Sequence, residues 1–291
     1  REIEVIERAQ AQAPGTVQLS IDQRIQSVTY RELKKAVLAH GATSGSAIVV
    51  DVLTGEVLAM VNSPSFNPNN RRNTPSYLFR NRAIADTFEP GSTMKPLAVL
   101  SALEFGSAKL DEVVNTSPGY MRIGGSWVRD ANNYNNLSLT GIIQKSSNIG
   151  VSKLVLDMPV EHVIGLYANM GLGIDTGLGL NGESGGMLSH RRRWSDFERA
   201  TLSFGYGLSV TAAQLAKVYS TMANGGISRP LTILKNEQPY PGEQVLAPKH
   251  AAAMLEMMEG QQGGPGGHVT ENLPKAQAIK DATMANSILK Y

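Results

Sequence analysis

Apolar residues are distributed along this chain in several distinct patterns, and each predicts a different element. From about Ile21 to His40, residues Ile25, Val28, Leu33, Ala36 and Val37 form an imperfect helical stripe. Ser20, with Gln23 three positions on, reads as its capping box. Ala47-Ile48-Val49-Val50 and Glu56-Val57-Leu58-Ala59-Met60-Val61 are rich in β-formers, and Thr54-Gly55 turns between them. Residues 46–62 therefore predict a hairpin. Both strands are apolar at nearly every position, so helices are expected over both faces. Pro96 to Phe105 is almost wholly apolar, the mark of a helix buried all round. Leu139 to Met158 reads as helical with an interruption near Ser146–Gly150. Thr211 to Asn224 gives the cleanest helix. Thr211 and Gln214 form a capping box; Ala212, Leu215, Ala216, Tyr219, Met222 and Ala223 make one face; Asn224-Gly225-Gly226 ends it. A further helix is expected from about Lys249 to Met258.

Between these lie a Pro/Asn loop at 64–73, an Asn-rich loop at 132–136, a Gly-rich irregular stretch at 171–186 and a Gly/Pro linker at 261–267. The first 15 residues are polar and show no core face. The class is mixed α/β, a small covered sheet within a mainly helical domain. A composition of 42% hydrophobic and 18% charged residues excludes global disorder and coiled coil. The 27 Lys+Arg against 25 Asp+Glu leave a formal charge of +2, too little for a nucleic-acid backbone binder. No stretch approaches the roughly 18 apolar residues of a membrane span. Arg1-Glu2-Ile3-Glu4 does not read as a signal peptide, so a soluble chain is expected, one that could be cut from an anchored protein.

Cysteine is absent, and the five histidines never fall at metal-ligand spacing. No metal or cofactor is expected. Any nucleophile should be a hydroxyl, and its base need not be histidine. Several motif matches are weak. Gly177-Leu-Gly-Leu-Asn-Gly182 lacks the strand and helix of a dinucleotide site, and Gly182-Glu-Ser184-Gly-Gly186 lacks the context of a nucleophile elbow. Arg191-Arg192-Arg193 reads as a solvated face.

Ser92-Thr93-Met94-Lys95 is different. On a helix, positions i and i+3 share a face, so the Lys95 amine can sit against the Ser92 hydroxyl. A lysine in a partly dry pocket near other cations has its pKa lowered and can serve as general base. A helix start adds the positive end of the dipole, which favours an oxyanion. Pro90-Gly91 gives a tight approach, and Pro96 is compatible only within the first turn. Ser287-Ile-Leu-Lys290 fits the same pattern. Downstream, Ser146-Ser147-Asn148 offers a proton relay in Ser146 and, in Asn148, an amide to hold a substrate or orient Lys95. The plainer alternative is a helix break whose side chains bond their own backbone. Ser65-Phe66-Asn67 is a rival match.

Three segments resemble the transpeptidase domain of class B penicillin-binding proteins, most nearly the division-specific members of Gram-negative bacteria. They are Phe88-Glu-Pro-Gly-Ser-Thr-Met-Lys-Pro96, Gln144-Lys-Ser-Ser-Asn-Ile-Gly-Val-Ser-Lys153 and Phe204-Gly-Tyr-Gly-Leu-Ser-Val-Thr-Ala-Ala-Gln-Leu215. Their order fits, with Ser92 and Ser146 lying 54 positions apart. Gly45 to Asn70 resembles the family's first hairpin and the loop after it. The resemblance covers about residues 16 to 260, leaving residues 1–15 as an N-terminal remnant. It implies the penicillin-recognising serine transferase fold: an antiparallel sheet flanked by helices, with an all-helical subdomain beside it.

It implies a peptidoglycan D,D-transpeptidase in septal wall synthesis. Ser92 would be acylated by stem peptides or β-lactam antibiotics, and Lys95 would be the base. Ser146 would pass the proton on, and Asn148 would bind the peptide or Lys95. Phe204 and Tyr206 would wall the cleft, a plain core role being the alternative. Division-machinery proteins are the implied partners, and the periplasmic face of the inner membrane is the implied location. The family's third motif, Lys-Ser/Thr-Gly, occurs nowhere in the chain. Its nearest candidate is Lys280-Asp281-Ala282-Thr283, where Asp281 has the wrong sign for holding an anion. Residues 261–291 read as a linker and an atypical remnant too short for the closing strands. Internal segments are therefore expected to be missing between Gly260 and Tyr291. Two other functions stay open: a serine β-lactamase or D,D-carboxypeptidase, and a non-catalytic penicillin-fold scaffold or sensor.

Overall fold

The computed structural model describes residues 15–189, 191 and 193–259. The first helix, α1 (Gln23–Ala39), is capped by Asp22, whose carboxylate accepts from the Arg24 and Ile25 N–H groups. The Arg24 guanidinium and those two N–H groups hold the Asp22 carboxyl down at about 2. The cap is therefore not Ser20. That side chain is buried and donates to the Val57 carbonyl at 2.8 Å, tying the incoming chain to a strand instead.

Strands β1 (Gly45–Val50) and β2 (Val57–Ser63) pair antiparallel, with Ile48 opposite Met60 and a register shift at Val49/Val50. Val57, Ala59 and Val61 are buried, while Leu58 and Met60 are half-buried. Helix α1 crosses this hairpin. The Gln26 side-chain amide accepts from Met60 N and donates to Met60 O, satisfying one residue of β2 at both polar groups. Both faces of the hairpin are covered, one less completely than the apolar pattern predicts.

The short α2 (Arg82–Ala85) and a 3₁₀ turn at Gly91–Met94 lead into α3 (Lys95–Phe105). Every residue of α3 from Lys95 to Leu103 is buried. Pro96 sits in its first turn, where its missing N–H deprives no carbonyl of a partner. Gly106, at φ +85, ends it. Four short strands follow as two hairpin-like pairs: β3 (Val113–Asn115) with β6 (Asn136–Ser138), and β4 (Tyr120–Ile123) with β5 (Ser126–Arg129). Then come α4 (Leu139–Lys145), α5 (Asn148–Leu156) and α6 (Val160–Asn169). The helical layer thus carries strands that its sequence pattern does not announce.

A two-residue strand β7 (Met187–Leu188) pairs with β8 (Leu208–Ser209) across α7 (Asp196–Ser203), which Ser195 and Glu198 cap as a box. Helix α8 (Ala212–Ala223) carries the expected Thr211–Gln214 box. It is buried well beyond the single expected face, with Ala213, Val218 and Thr221 also inside, because α2, α9 and β1 all pack on it. The small pair β9 (Ile227–Ser228) and β10 (Glu243–Gln244) precedes α9 (Pro248–Glu259). Residues 1–14 and 260–291, with the predicted linker, Lys280, Ser287–Lys290 and the expected gap, lie outside the described residues.

One main core runs from the hairpin through α3, α5, α6 and α8. Helix α3 is its axis, touched by α4, α5, α6, α7 and α9. Full burial of Leu97 and Leu100 contributes about 2 kcal/mol each. Within this core the Tyr167 hydroxyl has no hydrogen-bond partner among the described residues, and burial pushes its pKa up. A buried hydroxyl without a partner forfeits its hydration. Tyr167→Phe is expected to raise the unfolding free energy by about 1 kcal/mol in urea titrations; a loss of stability would mean that the hydroxyl is satisfied.

Candidate active site

Ser92 lies in the 3₁₀ turn immediately before α3, with its side chain exposed. Lys95 is the first residue of α3 and is only 3% exposed. The tight turn carries the Lys95 N–H to the Ser92 carbonyl. With α3 buried from Lys95 to Leu103, the lysine side chain reaches the break between α4 and α5. There Ser146 adopts a left-handed conformation, φ 53 and ψ 45, costly for a residue with a Cβ. This turn aims both the carbonyl and the hydroxyl of Ser146 at Lys95. Lys95 Nζ lies 2.8 Å from Ser146 Oγ and also donates to the Ser146 carbonyl. Ser146 Oγ lies 3.2 Å from Ser92 Oγ. Two hydroxyls and an amine thus form a continuous row, exposed at one end and buried at the other.

The two sequence readings of the Ser-x-Asn segment are divided between its two serines. Ser147 does bond its own backbone: its Oγ accepts from Gly150 N at 2.9 Å, capping α5. Ser146 does not; it faces the other two groups. Asn148 Nδ2 donates to the Arg129 carbonyl at 2.9 Å. A residue without a sequence signal holds this arrangement. Asp130, at the end of β5, accepts from Ser147 Oγ (2.6 Å), Asn148 N (2.6 Å) and Ile149 N (3.0 Å). Its carboxylate sits on the positive end of α5, where charge and orphan N–H groups both favour it. It is contributed by a hairpin 17 residues upstream of Ser147, which is why no local spacing reveals it.

On the other side, the segment after α7 clamps the turn that carries Ser92. Gly91 N donates to Gly205 O at 3.2 Å. A Cβ at Gly205, which has φ +86, would stand 2.1 Å from Gly91 O, so only glycine fits. Phe88 and Val210 exchange backbone hydrogen bonds at 3.0 and 2.9 Å, and Tyr219 donates to the Thr93 carbonyl at 2.8 Å. Phe204 is half-buried between the two hydrophobic clusters, and Tyr206 is 50% exposed with its ring 5.8 Å from that of Phe204.

The weak matches lie elsewhere. Ser184 is in a loop, accepting from Gly186 N, and Asn67 accepts from Asn69 N in another. Arg191 and Arg193 are exposed. Among the described residues no group of three His, Cys, Asp or Glu could hold a metal ion, and no helix is long and apolar enough to cross a membrane.

Residues 45–282 match the penicillin binding protein transpeptidase domain. The chain belongs to this transpeptidase family. The peptidoglycan D,D-transpeptidase FtsI of Escherichia coli strain K12 is 52% identical over 259 residues, 89% of this chain and 44% of that protein. The FtsI of Buchnera aphidicola subsp. Schizaphis graminum is 42% identical over 241 residues, 83% of this chain and 42% of that protein. The chain therefore spans less than half the length of these two transpeptidases. The apo transpeptidase domain of Burkholderia pseudomallei penicillin-binding protein 3 superposes with a TM-score of 0.78 at 39% identity, covering 87% of this chain and 72% of that one. The mixed fold of helices and antiparallel strands is that of the penicillin-binding transpeptidases.

If the Asp130 carboxylate fixes the start of α5, Asp130→Ala should lower the unfolding free energy by about 2 kcal/mol, and Asp130→Asn, which keeps an acceptor, by less. Urea titration measures both. An Ala variant as stable as the parent would remove this cap from the account.

Proposed function

We propose that this chain carries the acyl-transfer site of a peptidoglycan D,D-transpeptidase, cross-linking stem peptides in septal wall synthesis and acylated by β-lactams. The carrying observation is the row of Ser92 Oγ, Ser146 Oγ and Lys95 Nζ, spaced at 3.2 and 2.8 Å. The names of the Escherichia coli and Buchnera relatives supply the substrate class and the division setting. By the same likeness the site works on the periplasmic side of the inner membrane, among division proteins.

In this reading Ser92 Oγ attacks the carbonyl of the penultimate D-alanine. Its proton moves to Lys95, directly or through Ser146. The terminal amide C–N bond then breaks, and the proton returns through Ser146 to the departing D-alanine nitrogen. An amine from a neighbouring stem peptide attacks the Ser92 ester and gives a proton to Lys95. The ester C–O bond breaks, and Ser92 recovers its proton. One amide bond is exchanged for another, so the balance needs no cofactor. The Ser92 N–H, at the positive end of α3, supplies half of the oxyanion hole. Asn148 directs its Oδ1 at a substrate N–H, its Nδ2 being engaged by Arg129. Tyr206 lines the cleft, with Phe204 supporting it from the core. Lys280 is the nearest candidate for the substrate carboxylate, although Asp281 opposes that role. A β-lactam undergoes the same attack, but its amide nitrogen stays tethered after ring opening and occupies the leaving-group path.

A second reading draws on a specific feature, the absence of Lys-Ser-Gly or Lys-Thr-Gly from the sequence. A non-catalytic scaffold of the same fold would be folded yet unlabelled by penicillin. A hydrolase would label and then release opened drug. Intact mass spectrometry separates the three, and a long-lived adduct on Ser92 is the expected result. Ser92→Ala should abolish the adduct with the fold intact. Lys95→Ala should slow acylation by about 10²–10⁴, the size of a lost general base; acylation at the parent rate would exclude Lys95.

Ser146→Gly offers a sharper contrast. It relieves about 1 kcal/mol of left-handed strain, partly offset by the freer unfolded chain of glycine. Stability should stay within about 1 kcal/mol of the parent, while acylation falls by about 10²-fold. Acylation unchanged in a folded Ser146→Gly protein would place the proton path elsewhere.

A further inference from the structure

The β4–β5 hairpin turns two of its apolar residues inward. Ile123 and Val128 are buried with Ile149 of α5 and Ala200 of α7. Strand alternation puts Tyr120, Arg122, Trp127 and Arg129 on the other face, with Tyr120 opposite Arg129 and Arg122 opposite Trp127. Tyr120 and Trp127 are about half exposed, and their rings meet edge to face at 5.6 Å. The Arg122 and Arg129 guanidinium carbons lie 5.9 and 6.0 Å from the Trp127 ring centre. Among the described residues neither arginine forms an ion pair. Two like charges on one small face, with no carboxylate between them, leave a site complementary to an anion. Two exposed rings beside them add flat apolar surface.

This face is also continuous with the wall of the Ser92 site. The Arg129 carbonyl holds the Asn148 side chain, and the next residue, Asp130, holds the start of α5. Given the transpeptidase reading, on which this step rests, the polymer reaching that wall is built of saccharide rings and of peptide stems with free carboxylates. We propose that the outer face of β4–β5 is a subsite for the peptidoglycan strand. Trp127 and Tyr120 pack on saccharide rings, and Arg122 and Arg129 pair with stem-peptide carboxylates. The face then holds the polymer while Ser92 acts on one of its stems.

Cosedimentation of the purified chain with insoluble peptidoglycan sacculi tests this, with circular dichroism melts to show that each variant is folded. The parent should sediment, less so at high salt. Trp127→Ala and the double variant Arg122→Gln/Arg129→Gln should each weaken binding by about tenfold. Folded variants that sediment like the parent, or a parent that stays in solution, would overturn the proposal. A concentration-dependent dimer dispersed by Trp127→Ala would also overturn it, assigning the face to a second copy. Penicillin labelling of the parent, run alongside, reports on the transpeptidase reading separately. A labelled parent that ignores sacculi sinks only the subsite, and an unlabelled parent whose sacculus binding depends on Trp127 sinks only the acyl-transfer reading.

Discussion

The amine of Lys95 joins two parts of the fold that share no secondary structure. It leaves a helix buried on every side and meets the break between α4 and α5, donating to the carbonyl and lying 2.8 Å from the hydroxyl of Ser146. Each such bond contributes only about 1 kcal/mol net, but their geometric effect is larger. Helix α3 cannot shift or rotate without disturbing the close-packed main core, so the amine has a fixed origin. The break has a second anchor in Asp130, which takes three donors from Ser147, Asn148 and Ile149. Ser146 is therefore held from two directions, and its hydroxyl has little choice but to face Ser92.

The turn that carries Ser92 is fixed by a different means, the exclusion of side chains. Gly91 and Gly205 let two backbones touch where even one methyl group would collide with a carbonyl oxygen. Paired backbone bonds between Phe88 and Val210 flank that contact, and Tyr219 of α8 reaches the Thr93 carbonyl. The Ser92 side chain itself stays exposed. The structure thus holds the backbone beneath Ser92 and leaves its hydroxyl exposed, an arrangement that suits the proposed preorganised site.

Much of this was legible in the residues themselves. The apolar run of α3, the β1–β2 hairpin, the interruption at Ser146 and the Thr211–Gln214 box all appear where the pattern puts them, because each is set by local periodicity or capping. The failures have physical causes. Ser20 resembles a cap, yet the carbonyls of Val57 and Thr232 take its hydroxyl, and Asp22, an ionised acceptor, takes the helix end. Helix α7 carried a readable signal in Ser195 and Glu198, and α6 one in Val160, Val163, Ile164 and Tyr167, all buried as a helical stripe. Asp130 carried none. Its role exists only once β5 is laid against α5, and the short strands around it bury too few residues to show a period.

Two residues stand where folding alone would not put them. A residue chosen for stability alone at position 146 would be glycine or asparagine, which adopt the left-handed conformation at low cost. One chosen for stability at position 95 would be apolar, because a residue only 3% exposed keeps little hydration for a polar side chain. Each residue is unfavourable where it stands, and each offsets the other: the misplaced lysine is satisfied by the strained serine's two oxygens. Neither conflict could be resolved singly without worsening the other, since an apolar residue at 95 would leave the Ser146 strain without purpose and a glycine at 146 would take one acceptor from the lysine. Two local rules thus fail together at one point of contact, with an exposed hydroxyl 3.2 Å away, and the proposed acyl-transfer role accounts for both failures at once.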